Sequence, residues 1–520
     1  MNVIKRQAPI GLLLAACTLS FPAAAAEFQW GEVEGSFNSQ ISIGASWRMS
    51  DRDPQLLTPG NAAGLGLTPG SGLASTGTAD DGNANYEDGD MYSLIIKGVH
   101  DLELRKGDFG LFLRGKYWYD KALSDDDLPH GNSLNSYTRN VPLDDSGFDD
   151  FAKASGIELL DAFVYGTFYL GESEIPLDLR LGRQVASWGE STFIQNGINT
   201  INPIDVSAFR RPGAEIKEGL LPVAMFTASA GLTDALSFEM FYQLEWEKTV
   251  IDGCGTYFST ADVAATGCDV VTLSGAISDD WNMNGFAPAG LTGGLYITRL
   301  PDIEPDDSGQ WGVAFRYFAE ALAGTEFGVY YMNYPSRVPL LGGVASRNPL
   351  VPSENIPPGF PDPLPVFIPL ADGVDLGAQL GGGNPQYYAE FPEDIELYGL
   401  SFATNLGGFA ISGEVSHRPD FPVQINTTEL LQAAVAMAPW STVTPIILEN
   451  GWGEAAPGYD LLPVTQAQVT FIRFFDRVLG ASRLSFAAEI GANWVGDLPD
   501  QSVQRFGRSP NFGMGAFTPI

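Results

Sequence analysis

Few side chains in this chain are arranged for catalysis. There are three histidines, His100, His130 and His417, and no nucleophile elbow, P-loop or H-E-x-x-H string accompanies them. Ser416 and His417 are neighbours in an alternating segment, so they occupy opposite faces of one strand and cannot work as a nucleophile and its base. The residue types therefore predict a protein that is not an enzyme.

Other groupings point to binding and structure. The run Asp80-Asp81-Gly82-Asn83-Ala84-Asn85-Tyr86-Glu87-Asp88-Gly89-Asp90 sets oxygen donors around a glycine. Asp80, Asn83, Asn85 and Asp88 are its candidate ligands for calcium, which takes six to eight oxygens. The run lacks the twelfth-position glutamate of an EF-hand, and a turn-rich acidic loop would have the same composition. No other cofactor is indicated. Cys254 and Cys268 share one long loop without a nearby histidine, and in an oxidising compartment they are expected to form a disulfide.

Segment 183–220 carries Arg183, Arg210, Arg211, Glu215 and Lys217 among Asn, Ile and Pro, with no strand alternation. It is expected to fold inward and form a constriction. Arg114, Lys116, Glu239, Glu245, Glu414 and Glu489 would face it from a polar wall. Paired arginines beside acidic groups would create a transverse field for solutes. An ordered external loop with solvated charges is the alternative. Two other loops are apolar: Val338-Pro339-Leu340-Leu341 with 363–370, and a helix that Thr428 would cap ahead of Leu430 and Leu431. Such surface marks either a binding site or a lid of loops packed on one another.

The elements that must position these groups are strands. Phe37, Ile41, Ile43, Ala45 and Trp47 share one parity, and Asn38, Gln40, Ser42 and Ser46 fill the other. The pattern recurs in Phe109 to Tyr119, in Leu236 to Trp246 and in Leu484 to Trp494. Apolar-out, polar-in alternation with aromatic ends describes a strand tilted across a bilayer, for which ~9–11 residues suffice. Connections alternate between short turns, as at 106–108 and 405–408, and long loops, as at 50–90 and 248–309. The predicted fold class is all-β: an antiparallel transmembrane β-barrel of about thirteen visible strands. Bacterial barrels close with an even number, and the chain stops at Phe517-Thr518-Pro519-Ile520 inside what reads as another external loop. The expectation is therefore 14–18 strands in the complete protein, with C-terminal strands missing here.

The N-terminus reads as an export signal. Lys5 and Arg6 precede a short apolar run, Ile10 to Leu19, and Ala24-Ala25-Ala26 offers a cleavage site before Glu27. Residues 1–26 are the expected signal peptide, and 27–520 the barrel with its long external loops. Leu14-Ala15-Ala16-Cys17 also fits a lipoprotein signal in which Cys17 is acylated. The 63 acidic against 28 basic residues, a net charge of -35, argue against a nucleic-acid partner. The destination is the outer membrane of a Gram-negative cell, with its lipids around the wall.

The chain resembles an uncharacterised proteobacterial outer-membrane family, domain of unknown function thirteen-oh-two (DUF1302). The resemblance is carried by Gly31 to Gln40, by Asp80 to Asn85, by Leu181-Gly182-Arg183-Gln184-Val185-Ala186-Ser187-Trp188-Gly189-Glu190-Ser191, by Asn202-Pro203-Ile204-Asp205 and by Gly413 to Pro419. It implies an outer-membrane protein that usually continues for several more strands. It also implies a neighbourhood of a lipid-carrier-like outer-membrane lipoprotein and a resistance-nodulation-division type inner-membrane transporter, hence traffic in hydrophobic molecules. The expected function is a channel or transporter for a hydrophobic or amphipathic small molecule, acting as part of a lipid-handling export system. A general hydrophilic porin, or a non-conducting structural partner of an envelope transport complex, are the alternatives.

In protein purified from the membrane, Cys254 and Cys268 should resist alkylation until a reductant is added. Two free thiols in intact-mass analysis under denaturing conditions would disprove the bridge.

Overall fold

The computed structural model describes residues 16–20, 24–74, 81–132, 135, 137–172, 174–272, 278–279, 296–344, 350–351, 364–365, 369–370, 374–375, 386–434, 454–478 and 480–507. The start of the expected signal peptide, Asp80, residues 363 and 366–368, and the last residues of the chain lie outside them.

Fifteen strands form one sheet. They are β1 (Ala16–Ser20), β2 (Ala24–Trp30), β3 (Val33–Trp47), β4 (Met91–Lys106), β5 (Phe109–Asp120), β6 (Ser155–Leu170), β7 (Ile175–Gln184), β8 (Val223–Gly231), β9 (Leu236–Gln243), β10 (Trp311–Ala319), β11 (Thr325–Tyr334), β12 (Ile395–Leu406), β13 (Phe409–Gln424), β14 (Tyr459–Asp476) and β15 (Arg483–Val495). From β3 to β15 each strand pairs antiparallel with the next, a thirteen-strand meander that matches the alternation read from the sequence. Both β1 and β2 pair with the outer edge of β3, so a cut after Ala26 would remove β1 and the first three residues of β2. No helix among the described residues is long and apolar enough to cross a membrane.

Alternation sorts the side chains inside out relative to a soluble protein. Ile43, Val329, Leu400, Val415 and Ile490 are exposed on the outer face, and Ser42, Lys97, Lys116, Gln243, Ser401, Glu414 and Gln468 are buried on the inner one. Apolar side chains facing out and polar ones facing in suit a wall solvated by hydrocarbon. Ser416 is buried and His417 exposed, as their opposite parities require. The turns at one end are tight. Gly407 and Gly408 join β12 to β13 with φ of 61° and 82°, a conformation that glycine adopts without a Cβ penalty.

Two irregularities re-aim side chains. The β5–β6 register shifts between Leu113 and Gly115, and this turns Asp161 inward beside Arg114. The β13–β14 register shifts between Arg418 and Phe421, which accommodates Pro419, a residue with no N–H for the ladder.

The long loops build a second layer. Strands at Val270–Thr272, Tyr296–Arg299, Leu340–Val344, Gln386–Glu390 and Ala455–Ala456 form a small sheet. It shares a core of Val271, Ile297, Leu341, Tyr387, Leu430 and Leu431 with the helix Thr427–Ala434. The apolar loop residues Leu341, Leu430 and Leu431 are therefore packed on one another. The expected cap is corrected: Asn426, not Thr428, accepts the Glu429 N–H at 3.0 Å, because the helix begins a residue before Thr428 and the amide at 426 precedes its first turn.

Val329 lies mid-strand on the outer face. Val329→Arg should cost ~2–4 kcal/mol and reduce the heat-modifiable, assembled fraction, whereas Val329→Leu should not. Equal behaviour of the two on unboiled gels would show that this face is not in hydrocarbon.

Candidate functional site

Segment 185–222 crosses the interior of the curled sheet. It leaves β7 after Gln184, two residues beyond Gly182, where φ is 132° and a Cβ would meet the Ala162 carbonyl oxygen at 2.2 Å. Its irregular backbone makes no ladder, so its N–H and C=O groups need other partners once they are out of water. The wall supplies them. Glu414 on β13 accepts the N–H groups of Glu190 at 2.6 Å and Ile198 at 2.9 Å, and the Gln468 amide at 2.9 Å. Glu489 on β15 accepts Thr192 N–H at 2.8 Å, Phe193 N–H at 2.7 Å, Ile194 N–H at 2.5 Å and the Thr470 hydroxyl at 2.7 Å. In the opposite sense, Arg418 donates to the Gly197 carbonyl at 2.8 Å and Gln466 to that of Gln195 at 2.9 Å. A Cβ at Gly197 would sit 1.8 Å from a Glu414 oxygen, so that position needs glycine for close approach.

The other end of the segment is held by cations. Lys116 on β5 pairs with Asp205 at 3.0 Å, and Lys97 on β4 pairs with Glu218 at 2.6 Å; all four side chains are buried. Lys97 also donates to the Gly213 carbonyl at 2.8 Å. Asp205 caps the helix Val206–Arg210 through Ala208 N–H at 2.8 Å. Glu215 and Glu218 form a reciprocal capping box at Ile216–Gly219. Glu215 further accepts from Gln40 and pairs with Lys217 at 3.0 Å. Between the two anchored ends, Trp188, Ile198 and Ile201 pack against Val223, Met225, Phe241, Tyr330, Met332 and Leu397 of the wall.

The structure brings together Lys116, Glu215 and Lys217 around this strap. It places Glu239 beside the strap's middle, where it accepts the Trp188 indole N–H at 2.8 Å and pairs with Arg316. Arg114 faces the interior with Asp101 at 2.8 Å and Asp161 at 3.1 Å. The remaining assignments are corrected. Arg183 falls on the strand face opposite Gly182 and Gln184; its neighbours are Glu245 at 3.8 Å and Glu247 at 4.0 Å, so Arg183 and Glu245 do not line a constriction. Arg210 pairs with Asp252 over the Phe258 ring. Arg211 donates to the carbonyls of Phe151 at 2.7 Å and Lys153 at 3.2 Å above Trp118. Both bind the strap to external loops and neither faces an acidic wall. Burial pushes the Arg211 guanidinium below its usual pKa.

Of the expected calcium ligands, Asp80 lies outside the described residues, and Asn83, Asn85 and Asp88 do not converge. Residues 81–85 are a short helix; the Asn83 side-chain oxygen Oδ1 accepts from Arg48 at 2.7 Å, the Asn85 Oδ1 accepts from the His130 backbone N–H at 3.0 Å, and Asp88 sits exposed in a turn. Helical geometry turns these side chains to different partners. Cys254 and Cys268 are bonded, with Cα atoms 5.9 Å apart. The sequence reading missed Lys97, Asp205, Glu218, Arg418 and Arg337. Lys97 and Lys116 both carry inward parity mid-strand, and that alone signals a need for carboxylate partners. Arg337 is buried among the Gln243 side chain, Gln310 Oε1 at 2.7 Å and the Ile201 carbonyl at 3.2 Å. Its burial lowers the guanidinium pKa to about 9.

A family model described as a protein of unknown function (DUF1302) matches residues 7–518. No curated protein matches the chain. Among solved structures, similarity is found to Salmonella typhi OmpF in complex with daunomycin, at 9% identity over 90% of this chain and 81% of that one, TM-score 0.32. The ferric enterobactin receptor of Pseudomonas aeruginosa is matched at 10% identity over 92% of this chain and 53% of that one, TM-score 0.33. The siderophore receptor PirA of Acinetobacter baumannii is matched at 9% identity over 92% and 55%, TM-score 0.31. The chain spans little more than half of each receptor, and at these TM-scores the likenesses carry no argument about function.

Asp205→Asn should keep the helix cap but strand the Lys116 charge. A loss of ~3–5 kcal/mol is expected for a buried pair broken on one side. Lys116→Met with Asp205→Asn should recover much of it. A double variant as unstable as the sum of the singles, measured by denaturant unfolding in detergent, would show that the two charges are not coupled.

Proposed function

The chain belongs to the DUF1302 family, and we propose that it is an outer-membrane channel or transporter in a Gram-negative envelope whose fixed internal strap selects a hydrophobic or amphipathic small molecule. The observation that carries this reading is the strap itself. It is pinned by Lys116–Asp205 and Lys97–Glu218 to strands near one end of the sheet and by Glu414 and Glu489 to strands near the other. A segment so held narrows the interior permanently. The outward apolar face supports placement in a bilayer, with lipids as its surroundings.

The substrate class follows from what the strap leaves inside. A general porin keeps a water-filled, polar interior, whereas here Trp188, Ile198 and Ile201 close an apolar cluster with Phe241, Tyr330 and Met332. That cluster is buried between strap and wall, so it fills space that a porin keeps for water, and this supports a hydrophobic or amphipathic solute over a small hydrophilic one. The reading assigns the protein no catalytic step and requires no cofactor for passage. A periplasmic-side lipoprotein and an inner-membrane transporter are the partners that such traffic would use. The alternatives are a hydrophilic porin and a non-conducting structural partner.

Planar-bilayer recording separates these. Wild-type protein should show small, solute-blockable conductance. Glu414→Ala with Glu489→Ala should free one end of the strap and raise conductance several-fold while the wall stays heat-modifiable. Large wild-type conductance that the double variant leaves unchanged would favour the porin. Silence in both proteins, with no uptake of an amphipathic dye into vesicles, would favour the structural partner.

A further inference from the structure

A cleft lies where the strap meets the loop layer. It is walled by the strap helix Val206–Arg210, by residues 252–258 of the loop after β9, and by the adjoining ends of β4 and β5. Tyr92, Tyr257 and Phe258 make its apolar side. Tyr92 stacks on Tyr257 at 3.8 Å, and Phe258 meets the two rings edge-on at 5.6 Å and 4.9 Å. Rings that lock one another form a wall that is fixed before a ligand arrives. The cleft offers about 60 Å³ to water-sized groups, room for a small head group or a few waters.

One buried polar group of the lining stands without a partner among the described residues, and the groups around it are already engaged. Asp120 accepts the Ser93 hydroxyl at 2.5 Å and the Leu94 N–H at 2.9 Å. Asp252 is paired with Arg210, and Arg211 is held by its two carbonyls. Ser207 also lines the cleft; it is 6% exposed, and its hydroxyl meets no protein partner. A helical serine can bond back to the turn before it, but Ser207 stands in the first turn of its helix and has no such turn. A buried hydroxyl left unmatched is costly, so the group that completes it comes from outside the protein.

The charges around the cleft cancel. Arg210 and Arg211 stand against Asp120 and Asp252, so nothing here calls for a charged ligand, and a chain of net charge -35 repels anions at a distance. Both contacts of Arg210 use Nη1, and its side chain is 40% exposed, so it retains N–H groups to donate. A hydroxyl and a guanidinium beside aromatic rings fit an oxygen acceptor carried on an aromatic body.

We propose that the cleft binds the hydroxyl end of an uncharged phenol or aromatic alcohol, with Ser207 as its hydrogen-bond partner and its ring against Tyr92, Tyr257 and Phe258. That this occupant is the transported solute rests on the transport reading; the binding itself does not.

Phenol is the probe, titrated into full-length protein in lipid nanodiscs and read by saturation-transfer NMR, with toluene and benzoate as comparisons. Phenol should bind saturably, above the level given by Ser207→Leu, whose longer side chain fills the cleft. Ser207→Ala keeps the helix and should weaken phenol several-fold while leaving toluene unchanged. Should Ser207→Leu not assemble on unboiled gels, empty nanodiscs supply the background and Ser207→Ala decides. Three results would overturn the proposal: no saturable phenol binding, which leaves ordered water as the serine's partner; equal phenol affinity in wild type and Ser207→Ala; or benzoate binding more tightly than phenol. Conductance is recorded on the same proteins. Phenol binding by a silent wall would sink the transport reading alone, and conductance without phenol binding would sink the cleft alone.

Discussion

Hydrogen-bond saturation inside a polar-lined wall is the constraint on which the rest of this structure depends. From 185 to 203 the strap has no helix or strand of its own, so it brings N–H and C=O groups into a space with little water, and each unmatched one is costly. Glu414 and Glu489 solve this for one end by accepting five backbone N–H groups between them. Carboxylates are suited to the task because hydrogen bonds to an ionised acceptor are roughly twice as strong as neutral ones. Glycines at 189 and 197 follow from it: a Cβ at either would collide with the Glu414 carboxylate.

The scarcity of cations makes their placement meaningful. With 28 basic residues against 63 acidic ones, a lysine turned inward from mid-strand serves a defined partner. Lys116 and Lys97 reach Asp205 and Glu218 on successive turns of the strap, and the rings of Trp118 and Phe151 flank the Lys116 ammonium at 5.0 Å and 4.5 Å. An ammonium so surrounded exchanges water for a carboxylate and two π-faces. The anchoring is asymmetric: ion pairs hold the strap at β4 and β5, and peptide N–H groups hold it at β13 and β15.

Much of the wall was legible because alternation is a local property. Ile41 and Ser42 declare their faces within a few residues, and the thirteen-strand meander follows from repeating that reading along the chain. Strand ends were less legible. β13 runs through Pro419 to Gln424 because a bulge absorbs the proline, and no local rule announces the bulge. The inward fold of the strap was visible as a loss of alternation, but its contacts were not. Glu414 lies 216 positions from Ile198 in sequence, and no spacing rule spans that distance. Arg210 and Arg211 were read as a constriction from their charge alone; the structure uses their planar shape, stacking one on Phe258 and the other on Trp118 while their N–H groups reach Asp252 and two carbonyls. In the run at 80–90, Asn83 and Asn85 separate for a related reason: they lie in the helix Asp81–Asn85, and spacing in a helix does not converge as it does in an extended loop.

These arginines join the two layers of the molecule. Arg211 extends from the strap to the carbonyls of Phe151 and Lys153, and Arg210 to Asp252 in the loop that also carries Cys254. The strap therefore has a third attachment, upward into the loop layer, besides its two lateral ones. Because Arg211 is half-buried and its N–H groups would lose both carbonyls together, moving the strap requires moving residues 151–153 with it or leaving a guanidinium unsatisfied. The position of the strap is thus coupled to the loop layer by geometry, and any force that tightens those loops, a disulfide included, also tightens the strap.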